Sequence, residues 1–378
     1  MGFDMKLCIA NIKPSVGNKK KNLKKIESMV SEENADMYVF GEMALTGYTC
    51  RDEFREMAEG IDGPSINEIK KIAGEKDCYI IFGMPLKERE GVISNASIMV
   101  HPDGKVNAYR KSFLANFGPF EEKFYFSPGK EMPVFKTKYG KVGMCICYDL
   151  FFPELVKGLV LKGADMIVCI SASPTTTREF FEKVLPSRAI ENTAFIAYSN
   201  IVGTQENIVF WGGGQVYGPK GNLIARGKYL KEGVVTAEVD FRDLEEARAS
   251  RPTLRDTRAE VFSEISRGFV EERTHSGYAM VGLKMGEYIS SKMKVEKAVV
   301  YSDKENAESV ISGIMFHTGL AKDRIKFEES NTVGALFSSS KRKISIFLKE
   351  DVKNAIEMGM NTSILSYLED EKIFTIEE

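Results

Sequence analysis

Apolar and polar positions divide the first two thirds of the chain into short strands and longer amphipathic helices. Met5 to Ile12 predicts a strand, followed by a Lys- and Glu-rich helix that Asn18 could cap. Asp36 to Met43 predicts a buried strand with a polar tip. A second helix is expected from Ser65, with Glu68 at the capping-box spacing, and Cys78 to Met84 reads as another apolar strand. His101-Pro-Asp-Gly104 separates two alternating runs, Ile93 to Val100 and Lys105 to Tyr109, and signals a hairpin. Tyr139-Gly140 makes a similar turn before Lys141 to Ile146. Then follow helical Pro153 to Lys162, strand-like Met166 to Ser171, helical Thr177 to Glu191 and strand-like Phe195 to Asn200. Pro219-Lys-Gly-Asn222 marks a further hairpin, and Val234 to Asp240 a closing strand.

Strands thus alternate with helices in some places and with hairpins in others. A purely parallel doubly wound sheet would not contain so many hairpins, so mixed sheets with helices on their outer faces are expected. From Arg251-Pro252 to Arg258 the sequence becomes strongly charged and loses its strand rhythm, which places a domain boundary near residue 260. Residues 1–260 form the expected main domain. Residues 261–378 form a small α/β extension of unknown role, with helices at Gly277 to Lys292, Asn306 to Thr318 and Val352 to Met358, and strands at Lys297 to Tyr301 and Ile344 to Leu348.

Composition narrows the function classes. The 378 residues are 43% hydrophobic and 28% charged, enough for a sizeable core. A net charge of -2 gives no broad attraction to nucleic acid or an anionic membrane. No apolar run approaches the roughly 20 residues that span a bilayer, and the Lys-rich stretch Lys19 to Lys25 is not followed by the apolar segment of an export signal. The six cysteines are then expected as free thiols in a reducing cytoplasm. The three histidines, His101, His275 and His317, are far apart, which argues against a metal site and against Cys-His or Ser-His-Asp chemistry.

Three segments bring reactive side chains to strand ends. Glu42 follows a buried strand in Phe40-Gly-Glu-Met-Ala-Leu-Thr-Gly-Tyr48, and Lys111 ends a hairpin strand in Tyr109-Arg-Lys111. Cys147 arrives at an expected strand-to-helix junction in Val142-Gly-Met-Cys-Ile-Cys-Tyr-Asp149. A helix amino terminus and a nearby lysine would both favour thiolate. Singly, each residue has an ordinary reading: a surface carboxylate, a solvated cation, a core thiol like Cys145.

Together, these stretches resemble the carbon-nitrogen hydrolase (nitrilase) superfamily, whose members use a Glu-Lys-Cys triad. The resemblance rests on Glu42 in its motif, Lys111 in Tyr-Arg-Lys-Ser-Phe-Leu, and Cys147 in Cys-Tyr-Asp-Leu-Phe-Phe-Pro-Glu154. It extends through Ser171-Ala-Ser-Pro174, Arg188-Ala-Ile-Glu-Asn192, Asn200-Ile-Val-Gly203, Phe210-Trp-Gly-Gly-Gly214 and Arg255-Asp256, covering about residues 5 to 258. It implies a four-layer α-β-β-α sandwich. It also implies Glu122, rather than its neighbour Glu121, as a second glutamate orienting the lysine, and Tyr48, Tyr148 and Ser173 as substrate-binding positions. Three departures from the family pattern stand out: Gly41 where proline is frequent, Ser112-Phe113-Leu114 after the lysine, and Gly214 where serine is frequent.

The implied chemistry is acyl transfer through a cysteine thioester on a small amide, without metal or organic cofactor. Cys-Tyr-Asp is closer to amidase and carbamoylase branches than to true nitrilases. Ala44 to Asp52 and Val202-Gly-Thr-Gln-Glu206 resemble glutaminase domains of glutamine-dependent NAD synthetases. The synthetases' Ser-Gly-Gly phosphate loop is not matched after residue 260, where Ser276-Gly277 is followed by Tyr278-Ala279. A stand-alone amidase is the leading expectation. The alternatives are a glutaminase subunit feeding a separate synthetase, an N-carbamoyl amidohydrolase, a nitrilase and a non-catalytic binding protein. The resemblance further implies a homodimer or higher homo-oligomer.

Overall fold

The computed structural model describes residues 4–340, 342–358 and 373–377. It divides into two compact units, Met1–Thr257 and Arg258–Glu378. In the first unit the strands are β1 (Asp4–Asn11), β2 (Met37–Phe40), β3 (Tyr79–Arg89), β4 (Val92–Val100), β5 (Val106–Arg110), β6 (Val134–Lys136) and β7 (Lys141–Ile146). They continue as β8 (Met166–Ser171), β9 (Phe195–Asn200), β10 (Val202–Gln205), β11 (Ile208–Trp211), β12 (Gln215–Tyr217), β13 (Leu223–Arg226) and β14 (Gly233–Asp240).

Two six-stranded sheets result, ordered β14-β1-β2-β3-β4-β5 and β13-β12-β9-β8-β7-β6. Each has three parallel strands at its centre and antiparallel strands outside them. The connections explain the pattern, since parallel neighbours need a crossover whereas antiparallel ones need only a turn. Helices Lys19–Glu32 and Pro64–Glu75 carry the chain from β1 through β2 to β3, and Pro153–Leu161 and Arg178–Asn192 from β7 through β8 to β9.

Alternation along the strands sorts side chains into layers. Leu7, Ile9, Val39 and Ile81 pack with Met144, Val168 and Ala197 of the other sheet. The intervening Cys8, Ala10, Tyr38 and Ile80 pack instead against Ile26, Met29, Ile66 and Ile69 of the first two helices. Leu155, Leu159, Leu185 and Ala189 cover the outer face of the second sheet. The first unit is therefore a four-layer α-β-β-α sandwich. Each fully buried aliphatic side chain in it contributes roughly 1.5–3 kcal/mol.

Local chemistry at the helix starts follows two routes. Asn18 caps the first helix, its side chain accepting from the Lys21 N–H at 3.0 Å. The second helix departs from the capping-box expectation. It begins at Pro64 behind Gly63, and Ser65 donates both its N–H and its hydroxyl to Glu59 at 2.8 Å. Pro64 presets the helical φ and removes one N–H that would be left unpaired there, and Glu59 accepts the next, so the first turn is capped by Glu59 in place of the expected Ser65 box.

The second unit contains β15 (Lys297–Ser302), β16 (Ile325–Glu329), β17 (Gly334–Ser338), β18 (Lys343–Leu348) and β19 (Phe374–Glu377), ordered β16-β15-β17-β18-β19. Its core joins Ala298, Val300, Ala335, Phe337, Ile344 and Ile346 to Tyr278, Met285, Val310 and Ile314 of two helices. The helix before β15 runs Ala259–Lys292, longer than the expected start at Gly277.

Candidate active site

The carboxyl end of β2 turns sharply and delivers Glu42 into the space between the sheets. The Glu42 N–H donates to the Ser171 carbonyl at the end of β8, at 3.1 Å. Two glycines make the approach possible. A Cβ on Gly41 would lie 2.6 Å from the Ile201 nitrogen, and one on Gly83 would lie 2.4 Å from the Met43 nitrogen and 2.7 Å from the Glu42 Cα. The proline that the family resemblance leads one to expect at position 41 has no room here. Met43, next to Glu42, is held at φ 52, a left-handed conformation that non-glycine residues rarely adopt.

Three donors hold the fully buried Glu42 carboxylate. Oε1 accepts from Lys111 Nζ at 2.8 Å and from Asn95 Nδ2 at 2.6 Å, and Oε2 accepts from the Ala172 N–H at 2.8 Å. Lys111 follows β5 and is itself completely buried. Its ammonium also reaches Glu122 Oε1 at 2.7 Å. That oxygen accepts the Tyr48 hydroxyl at 2.6 Å, and Glu122 Oε2 accepts the Ala115 N–H at 3.1 Å. Glu121 points elsewhere: it is exposed and lies 3.5 Å from Arg51.

Cys147 directly follows β7 at φ 48, a strained left-handed conformation, and is almost fully buried. The junction differs from the strand-to-helix step expected from sequence. Cys147–Phe151 is a five-residue 3-10 turn, and the α-helix starts only at Pro153. Asp149 organises this turn, accepting from the Ile146 N–H at 2.9 Å, the Phe113 N–H at 2.8 Å and the Tyr109 hydroxyl at 2.7 Å. One buried carboxylate thereby ties the cysteine turn to the segment carrying Lys111.

Electrostatics set the resting protonation states. Burial pushes the Cys147 thiol well above its ordinary range and Glu42 pushes the same way, outweighing the opposing pull of Lys111. The thiol is therefore protonated at rest, contrary to the thiolate expected from a helix terminus: the site is too dry and too rich in carboxylates. Burial works against the Lys111 ammonium, but Glu122 and Glu42 overcome it and hold the group well above its usual value. Glu122 is raised by burial and by Glu42, with Lys111 opposing. Burial also pushes Asp149 up to about 6, against the pull of Lys111 and its hydrogen-bond donors.

The chain's matches to known proteins agree with this architecture. Residues 6–249 match the family model described as carbon-nitrogen hydrolase. The chain belongs to the carbon-nitrogen hydrolase family. A probable nitrilase of Schizosaccharomyces pombe is 32% identical over 254 residues, covering 65% of this hydrolase and 92% of the relative. An amidase of the nitrilase superfamily from Nesterenkonia superposes with a TM-score of 0.62 at 25% identity, over 70% of this chain and 98% of the other. A glutamine-dependent NAD(+) synthetase of Aquifex aeolicus is 27% identical over 370 residues, which is 95% of this chain but 56% of the synthetase. Among the described residues of the hydrolase, no helix is long and apolar enough to cross a membrane.

The remaining sequence-derived positions divide. Tyr48 lines the cleft beside Glu122, and Tyr148 packs between Phe117 and Phe152 at ring separations of 4.9 and 5.0 Å. The Ser173 hydroxyl is already engaged, with Thr177 at 2.7 Å and Trp211 Nε1 at 3.1 Å, so its side chain is occupied in bracing the loop after β8. Sequence reasoning passed over Asn95 and Asp149. Asn95 interrupts the apolar run of β4 with a buried amide, and that break in the pattern was its available signal.

Proposed function

We propose that the first unit hydrolyses the amide of a small carboxylic acid through a Cys147 thioester. Glu42 takes the thiol proton as the sulfur attacks the amide carbon. Lys111 and the backbone N–H of Tyr148 face the oxygen where negative charge develops. Collapse of the tetrahedral adduct expels ammonia or an amine, protonated through Glu42. The same carboxylate then removes a proton from water as it attacks the thioester, releasing the acid and restoring the thiol. Glu122 holds Lys111 in place, and Tyr48 holds Glu122.

The observation that carries this reading is the fully buried ammonium of Lys111, 2.8 Å from Glu42 and 2.7 Å from Glu122, within electrostatic reach of Cys147. Ammonia release should be measured over a panel of amides, N-carbamoyl compounds, glutamine and nitriles. Cys147→Ala should fall below ~1% of wild type because the covalent route is lost. Near-wild-type turnover in that variant would refute the mechanism.

A second reading, ammonia supply to a separate synthetase, is favoured by the match to the Aquifex synthetase across 95% of this chain. Ammonia release from glutamine that rises only when a synthetase is added would select it. A cytoplasmic location fits the six free cysteines. Self-association is supported by Leu161 and Phe180, exposed on the two helices that follow Cys147.

A further inference from the structure

Two buried hydroxyls beside the nucleophile play no part in the chemistry above. Ser171 ends β8 and Tyr198 lies in β9, and both are fully inaccessible to solvent. Neither side-chain oxygen has an aligned hydrogen-bond partner among the described residues. A buried hydroxyl left in that state costs free energy comparable to a lost hydrogen bond, so two of them in one place point to a shared task.

Their place in the second sheet says what the task is. β7 and β8 run parallel with Ile146 beside Ile170, so Cys147 and Ser171 are the next residues on neighbouring strands. Cys169, two residues before Ser171 and therefore on the same face, is paired with Tyr198. The Ser171 main chain is already committed to the site: its carbonyl accepts the N–H of Glu42 at 3.1 Å and that of Ile201 at 3.0 Å. Its hydroxyl acts on the sulfur. Burial and Glu42 push the Cys147 thiol up, Lys111 pulls it back, and hydrogen bonding from Ser171 pulls the same way as Lys111. The Tyr198 ring is clamped, with Trp211 stacked on it at 5.4 Å and Phe181 packed at 5.2 Å, so its hydroxyl stays beside Ser171. Burial and then Cys147 hold that phenol well above its ordinary value, Ser171 opposing, and it remains a donor. Ser173, its other neighbour, is engaged with Thr177 and Trp211.

Resting on the cysteine mechanism above, we propose that the Ser171 hydroxyl donates to the Cys147 sulfur and that Tyr198 is a positioning residue that aims it. A serine hydroxyl carries one proton and two lone pairs. When the Tyr198 proton occupies one lone pair, the Ser171 proton is left to point at the sulfur. The thiol proton is then free to face Glu42. As the sulfur attacks, its proton passes to Glu42 and the negative charge left behind is met by Ser171, which keeps its own proton throughout. Ser171 thus holds the base through its carbonyl and the nucleophile through its hydroxyl, and one residue sets the spacing between them.

Alkylation of Cys147 by iodoacetamide, followed by peptide mass mapping, tests this without a substrate. Ser171→Ala should raise the thiol by about one pH unit, since a hydrogen bond to a charged group is lost. The thiolate that remains is intrinsically more reactive, so the net rate at neutral pH should fall about threefold, and the pH that restores it should lie about half a unit higher. Tyr198→Phe keeps the ring packing and should act in the same direction but less, and the double variant should match Ser171→Ala. An unchanged rate in Ser171→Ala, or a faster one from a packing defect that admits the reagent, would overturn the proposal. A double variant slower than Ser171→Ala would remove Tyr198 from it. Should Ser171→Ala fail to fold, Tyr198→Phe decides, and an unchanged rate there counts against the pair. On any amide that is hydrolysed, Ser171→Ala should lower kcat roughly tenfold and leave KM within about twofold. If no amide is hydrolysed while Ser171→Ala still slows alkylation, the hydrolytic reading fails and the hold of Ser171 on Cys147 stands.

Discussion

Replacing Lys111 with methionine isolates the electrostatic core of the site. The substitution keeps most of the side-chain volume and removes the ammonium that is bonded to both Glu42 and Glu122, at 2.8 and 2.7 Å. Without it, two buried carboxylates would face each other uncompensated, and at least one must take up a proton to remain folded. Protonating a glutamate of ordinary pKa ~4.3 against solution at neutral pH costs about 3.7 kcal/mol, at about 1.36 kcal/mol per unit. That value agrees with the roughly 3–5 kcal/mol expected when one partner of a buried ion pair is deleted. The sign follows from proton counts. The folded variant binds one more proton than its unfolded chain, so its deficit grows with pH by about 1.4 kcal/mol per unit, from about 1 kcal/mol near pH 5 to about 5 kcal/mol near pH 8. Urea unfolding followed by fluorescence can read this, because the single tryptophan, Trp211, is fully buried in the first unit. Lys111→Met/Glu122→Gln should recover most of the loss and flatten the slope. A single variant within about 1 kcal/mol of wild type near pH 8, or a double variant no more stable than the single, would refute the charge argument.

Asp149→Asn should lower kcat, because an amide cannot accept all three bonds now made to Ile146, Phe113 and Tyr109. Its pH signature is specific. The Asp149 carboxyl is raised from 3.8 to about 6, so wild-type stability should decline as pH rises through that window, and the stability difference from Asp149→Asn should narrow; a constant difference would contradict it. Gly83→Ala should reduce both stability and ammonia release, since its Cβ would meet the Met43 nitrogen at 2.4 Å. Unchanged thermal unfolding in that variant would show that the Glu42 turn is looser than described.

Much of this arrangement was legible in the sequence because it depends on periodicity and strand ends. The runs Met166 to Ser171 and Phe195 to Asn200 coincide with β8 and β9. Glu42 and Cys147 stand where buried strands terminate, and Lys111 just after a hairpin strand. What escaped depends on partners distant in sequence. Asn95 meets Glu42 across 53 positions, and Gln205 meets Tyr48 across 157. Ser65 looked like a cap because local spacing could not reveal that Glu59 would claim its hydroxyl. In the second unit, β16 was missed because its Ile-Lys-Phe-Glu-Glu sequence is charged and mostly exposed at a sheet edge. The turn at Cys147 differs from expectation for a related reason: the helix start at Pro153 was visible, but Cys147–Phe151 carried no pattern separating a 3-10 turn from a helix.

The charge count also bears on which glutamate serves as base in the proposed reaction. Glu42 and Glu122 each receive three hydrogen bonds, so donor number does not distinguish them. They differ in what they surround. Glu122 shares one oxygen between Lys111 and Tyr48, whereas Glu42 is tied by its main chain to Ser171 and by Oε2 to the neighbouring Ala172, both at the end of the strand paired with β7. Of the charges acting on the Cys147 thiol, Glu42 raises it most strongly and Glu122 less than Lys111 lowers it. The carboxylate that most opposes a second negative charge at the sulfur is also the one best placed to accept its proton. The raised thiol favours transfer of its proton to Glu42 together with carbon-sulfur bond formation, since a free thiolate would add a further negative charge beside Glu42 and Glu122.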